Sequence, residues 1–269
     1  SRNAQWQLGF DSFGTISLFT YTSGTRALYA KTLPWAFVPG NWFYVEVRIT
    51  PGYLGTLEIR VNTVPVLSLI NVRMSDGTPV LPATSLGITH LTWQFSNNAN
   101  DAGLPSSAWG TDDFYFLTED GDENNDFLGN VRAKFMSVVA NSTPLDWLIG
   151  GTSPAATNWQ SVSALGVDDT TYVYADLVGT KDFYEVDPNL NTPTVYGVEL
   201  SGAYKQDDAT QRSVANNLRS GMTTSEGQEF FTNASYTFAY DIYELNPATG
   251  LGWTGAEVNA IQIGPKVIS

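Results

Sequence analysis

The sequence predicts an all-β chain built from two tandem antiparallel β-sandwich domains, and three observations predict it. Apolar and polar residues alternate one for one over many short stretches, the period of a strand with one buried face. Turn residues (Gly, Asn, Pro and Asp) punctuate those stretches about every 8–12 residues, as in a sandwich. Only 15% of the 269 residues are charged, against 42% hydrophobic and 13% aromatic, so there is apolar area for cores but little of the Glu and Lys that long surface helices use. The length suits two domains of ordinary size.

In chain order, strands are expected at 6–10, 16–21 and 26–31. The clearest early pattern comes at 42–49, where Phe43, Val45, Val47 and Ile49 lie on one face and Tyr44, Glu46 and Arg48 on the other. A turn with Pro51, Gly52 and Gly55 leads into Leu57-Glu58-Ile59-Arg60-Val61, which repeats the alternation and makes a hairpin with opposite charges available for cross-strand pairing. Further strands are expected at 64–69, 86–95 and 113–118. The run Glu119 to Asp126 has no apolar residue and reads as an acidic linker, giving domains at 1–118 and 127–269. The second domain carries strand patterns at 130–139, 172–175, 181–186, 194–204, 213–220, 229–231, 236–245 and 260–267. Thr254-Gly-Ala-Glu257 is a capping-box signature, predicting one helical turn before the last strand.

Composition excludes several functions. Thirteen Lys and Arg against 27 Asp and Glu give a net charge of −14, which repels phosphate backbones and anionic lipid, so neither nucleic acid nor membrane is an expected partner. No stretch approaches the roughly 18 apolar residues of a membrane-spanning helix. With no Cys and one His, thiolate zinc sites, Cys–His pairs and multi-His sites are impossible. His90 lies on a strand face and reads as structural. Ser1 is not an initiator Met and strand patterning begins at once, which predicts a processed or further upstream segment.

Acids, aromatics and hard-cation ligands are the remaining candidates. Paired acids could hydrolyse a glycan, but the Glu-x-Asp-x-x-Glu strand of sandwich glucanases is absent, and Glu119, Asp120, Asp122 and Glu123 sit in a Gly/Asn-rich run. No catalytic residue and no cofactor is therefore expected. Trp35, Tyr53, Trp109, Trp147, Trp159 and Trp253 lie in or near loops, where they either pack under the loop or stack on sugar rings. Asp120, Asp122, Asn124 and Asp126 place oxygens at alternate positions, as in the first half of a calcium loop. Position six is Asn125 and position twelve is Val131, so the usual Gly and bidentate Glu are missing. A solvated linker leads, with Ca2+ the one metal candidate.

Two resemblances sharpen this reading. Gly40-Asn-Trp-Phe-Tyr-Val-Glu-Val-Arg48 with Gly55-Thr-Leu-Glu-Ile-Arg-Val-Asn62 looks like the central hairpin of concanavalin-like and laminin-G-like jelly rolls. Asp112-Asp-Phe-Tyr115, Asn125-Asp-Phe-Leu-Gly-Asn-Val-Arg132, Thr194-Val-Tyr-Gly-Val198, and Asn246-Pro-Ala-Thr-Gly250 with Trp253, Thr254 and Glu257-Val-Asn259 resemble tailed-bacteriophage minor structural proteins. In those a lectin-like sandwich precedes a second sandwich. The resemblance implies a virion address, tail, fibre or baseplate rather than head, with other virion proteins as partners. It also implies a homo-oligomer, guessed as a trimer, and contact with a host-surface glycan. A capsid decoration protein and a glycan-binding module or depolymerase are the alternatives.

Overall fold

The computed structural model describes residues 6–22, 25–50, 54–72, 111–118, 122–164, 166–167, 169–208 and 210–269. Among them every strand pairing is antiparallel, and helix is confined to α1 (Asn158–Val162) and α2 (Gly255–Val258). The protein is all-β. It divides into two compact units, Ser1–Ala133 and Lys134–Ser269.

That division corrects the expected one. The acidic run does not separate the units, because residues 126–133 are fastened to the first. Asp126 pairs with Arg48, Gly129 N–H donates to Glu46, and Asp113 accepts from Arg132 and from the Ala133 N–H. The first unit therefore ends at Ala133, not at Thr118.

The first unit holds β1 (Trp6–Phe10), β2 (Ile16–Thr22) and β3 (Thr25–Lys31) in one sheet, in that order. β4 (Val45–Thr50), β5 (Gly55–Val61) and β6 (Val64–Val72) form a second. The alternation in β5 is obeyed throughout: Leu57, Ile59 and Val61 are buried, and they join Ile16, Leu18, Phe37 and Val72 in one apolar core drawn from both sheets. Phe37 stacks on Phe43 with ring centroids 4.3 Å apart. The β5–β6 turn consists of Asn62 and Thr63, both at positive φ (49° and 71°), the backbone a two-residue hairpin needs to match strand twist. Asn62 also bonds both ways with the Tyr44 backbone, fixing the entry to β4.

In the second unit β7 (Val138–Leu145), β10 (Asp182–Val186), β12 (Ser213–Ser220), β13 (Thr223–Glu226) and β18 (Gln262–Val267) run in the order β13-β12-β18-β10-β7, with β14 (Phe230–Phe231) also on β12. Two-stranded ribbons accompany them: β8 (Leu148–Gly150) with β9 (Tyr172–Tyr174), β11 (Val198–Tyr204) with β15 (Thr237–Tyr243), and β16 (Leu245–Asn246) with β17 (Leu251–Gly252). The core gathers Val186, Leu200, Leu218, Trp253, Val258 and Ile261. The capping box forms as expected, with Thr254 and Glu257 bonded reciprocally at the start of α2.

Two expectations change and a third lies outside what is described. Residues 113–118 are not a strand, and Asp113 takes a left-handed backbone (φ 52°). Residues 130–137 are not paired either, and β7 begins only at Val138. The strand expected at 86–95, with His90, lies outside the described residues, as do Tyr53, Trp109, Glu119 and Asp120.

Candidate functional site

On the outer face of β4–β5 the register sets charged residues in rows: Glu46 opposite Arg60, and Arg48 opposite Glu58, which is in turn opposite Ser68 on β6. Thr50, Thr56 and Ile70 form the next row. The alternation predicts this face to be solvated. Instead the segments 111–118 and 122–133 supply a strap across the first row, and Glu46 is only 4% exposed.

The expected cross-strand ion pairs are accordingly redistributed. Glu46 Oε1 accepts the Tyr115 hydroxyl at 2.6 Å and the Gly129 N–H at 2.8 Å. Arg48 pairs with Asp126 of the strap, and Arg60 turns to Glu58 of its own strand at 2.8 Å. The two freed guanidinium faces then close on Phe127, at 3.9 Å from the ring centroid for Arg60 and 4.8 Å for Arg48. Burial, and next the hydrogen bond to Glu46, push the Tyr115 hydroxyl above its ordinary pKa, so it stays a donor. Glu46 Oε2 is buried and accepts no hydrogen bond among the described residues. The strap thus rests on one half-satisfied carboxylate and a cation–π clamp.

Beyond the strap the second and third rows stay open as a shallow groove of about 500 Å³, lined by Arg48, Thr50, Thr56, Glu58, Ile70 and Asn125 among others.

Of the expected metal ligands, Asp120 lies outside the described residues and the other three are placed as follows. Asp122 is exposed, and Asn124 turns through a left-handed backbone (φ 51°). The Asp126 carboxylate is engaged by Arg48 and by the Phe127 N–H at 2.6 Å, so the cation it meets is a guanidinium. Among the described residues no three acids or His group to hold a metal. Of the loop Trp residues, Trp253 is a core residue whose indole donates to Tyr243 O, Trp147 and Trp159 are half-buried, and Trp35 is 71% exposed. Trp35 sits at φ 64°, a strained conformation for a bulky residue, held by its N–H to Phe13 O at 3.0 Å and by Phe37 N–H to Gly14 O. Phe13, Leu33 and Trp42 are exposed in the same pair of loops.

The buried acids of the second unit are structurally engaged. Asp182, 0% exposed, accepts from Trp147 N–H, the Asn158 amide and the Tyr184 hydroxyl, at 2.9, 2.9 and 2.5 Å. Asp241 accepts from the Asn216 amide and the Gln228 N–H, at 2.9 and 2.8 Å.

Sequence reasoning misses Glu46, Tyr115 and Phe127 as a unit. The available signal is an acid inside an aromatic-flanked strand, together with a lone Phe ending an acidic run. A scan against protein-family models and searches of curated proteins and of solved structures find no match to this chain.

Proposed function

We propose that this chain is a non-enzymatic structural component of a tailed-phage virion, with two tandem sandwich domains that act by protein–protein attachment. The observation that carries the reading is the pair of loops holding Phe13, Leu33, Trp35 and Trp42 exposed, with Trp35 fixed in a strained backbone. Strain persists where surrounding bonds impose it, and large exposed apolar groups displayed together mark a surface to be covered by a partner. The engaged carboxylates of Glu46, Asp182 and Asp241 support a framework role over hydrolysis. Attachment in a tail, fibre or baseplate is favoured over capsid decoration by the motifs at 112–115, 125–132, 194–198 and 246–259. A trimer would cover the exposed edges and loops by symmetry.

Immunogold labelling and a density map of particles that carry this chain test the reading. The expected result is a fixed, symmetric location on the tail. Absence of the chain from purified particles overturns it. The exposed Trp35 favours one second reading, recognition of a host glycan by ring stacking. Incubation with capsule and lipopolysaccharide separates binding from depolymerisation: released reducing ends, abolished by replacing one carboxylate, would make the protein an enzyme.

A further inference from the structure

The strap and the groove beside it share Arg48. That guanidinium holds Asp126, flanks the Phe127 ring and also lines the open groove, so the groove runs directly into the contact that fastens the strap. The fastening is at the surface: the Asp126 side chain is 69% exposed and that of Arg48 36%. It is also incomplete, since Glu46 Oε2 is buried with no donor among the described residues. A carboxylate and guanidinium–ring contacts open to water can exchange partners in a way that a buried apolar plug cannot.

We infer that this face of β4–β5 is a docking site for an acidic–aromatic peptide segment of a partner protein, occupied in this structure by the chain's own Asp126–Phe127. The inference rests on the attachment reading. The resident segment is the template for the occupant: a carboxylate on Arg48, followed by an aromatic ring between Arg48 and Arg60. At Arg48 the exchange is matched in charge, because an incoming carboxylate replaces that of Asp126, which is displaced but stays on the chain. The local guanidinium contact, rather than the overall charge of −14, is therefore what attracts the occupant. The groove supplies the foothold. A partner segment can lie along Thr50, Thr56 and Glu58 while the strap is still closed, then compete for Arg48. The tethered strap competes at a high effective concentration, so the closed form resists a free peptide until the partner holds the groove.

The test uses the full chain and a labelled peptide with the sequence of residues 123–129, followed by fluorescence anisotropy. Phe127→Ala vacates the ring slot. We expect this variant to bind the peptide at least about ten-fold more tightly than the unsubstituted chain, with the gain lost when the peptide's Asp is changed to Asn or its Phe to Ala. Adding Arg60→Ala should abolish it. If Phe127→Ala does not fold, Phe127→Leu, which keeps an apolar side chain but no π face, replaces it with the same expectation. Equal binding of a scrambled peptide, or no binding by a variant whose melting transition shows it folded, overturns the inference. So does saturable binding of a neutral oligosaccharide in the groove without peptide binding, or dimer formation by the variant alone. Any of these leaves virion attachment standing if the chain is still located on particles; loss from particles with peptide binding intact defeats only the attachment reading.

Discussion

Two buried carboxylates, one in each unit, are held in opposite ways. Asp182 and Glu46 each lie on a strand and each accept a tyrosine hydroxyl, from Tyr184 and Tyr115. Asp182 spreads three donors over both of its oxygens. Glu46 takes two donors on one oxygen and none on the other among the described residues. A buried charge is tolerated in proportion to the hydrogen bonds it receives, so Asp182 joins β10 permanently to the Trp147 loop and α1, whereas Glu46 secures its strap less completely.

The largest effect that would test this contrast is Asp182→Ala. It strands the Trp147 N–H, the Asn158 amide and the Tyr184 hydroxyl, and should cost about 3–5 kcal/mol in denaturant unfolding of the second unit. A loss under about 1 kcal/mol would erase the distinction.

A backbone route to the same place is Gly264→Ala on β18. Its Cβ would lie 2.2 Å from Asp182 O, and moving β10 to admit it should cost about 1–3 kcal/mol, read as a lower melting temperature.

Glu46→Ala should cost about 1–2 kcal/mol, and Glu46→Gln less than about 1 kcal/mol, because Gln keeps the accepting oxygen and removes a half-satisfied buried charge. Hydrogen exchange at Gly129 should quicken in Glu46→Ala alone. If Glu46→Gln proved as damaging as Asp182→Asn, the strap would be as firmly held as the Asp182 junction.

The smallest difference is in alkaline solution. Burial first, and the neighbouring carboxylate second, raise the pKa of both Tyr115 and Tyr184 above the ordinary value of about 10. A group raised on folding contributes its stability fully below the unfolded value and loses it as the pH climbs towards the folded one. Stability should therefore fall above about pH 10, and less steeply in Tyr115→Phe and Tyr184→Phe. Melting curves at stepped pH measure it.

Much of the framework was legible. β1 and β12 have the expected bounds, the 42–61 hairpin forms in the expected order, and Thr254–Glu257 caps the one helical turn foreseen. The misses have a common cause. Alternation identifies two faces of a strand but not a second cover arriving from a distant segment, so Glu46, Arg48 and Arg60 read as solvated charges until Tyr115, Phe127 and Gly129 are laid over them. The acidic run reads as linker by composition, although its last carboxylate belongs to Arg48. β13 carries Thr-Thr-Ser-Glu, with no apolar face to betray it, and α1 is too short to display a helical period.

The strand order β13-β12-β18-β10-β7 places β18, the last strand of the second unit, between two strands made earlier. During synthesis β10 and β12 leave the ribosome with their mutual gap unfilled. Both of the edges that flank that gap wait for Gln262–Val267. The main sheet can therefore close only after nearly the whole unit has emerged, and until then its unpaired edges are open to mispairing with other nascent chains.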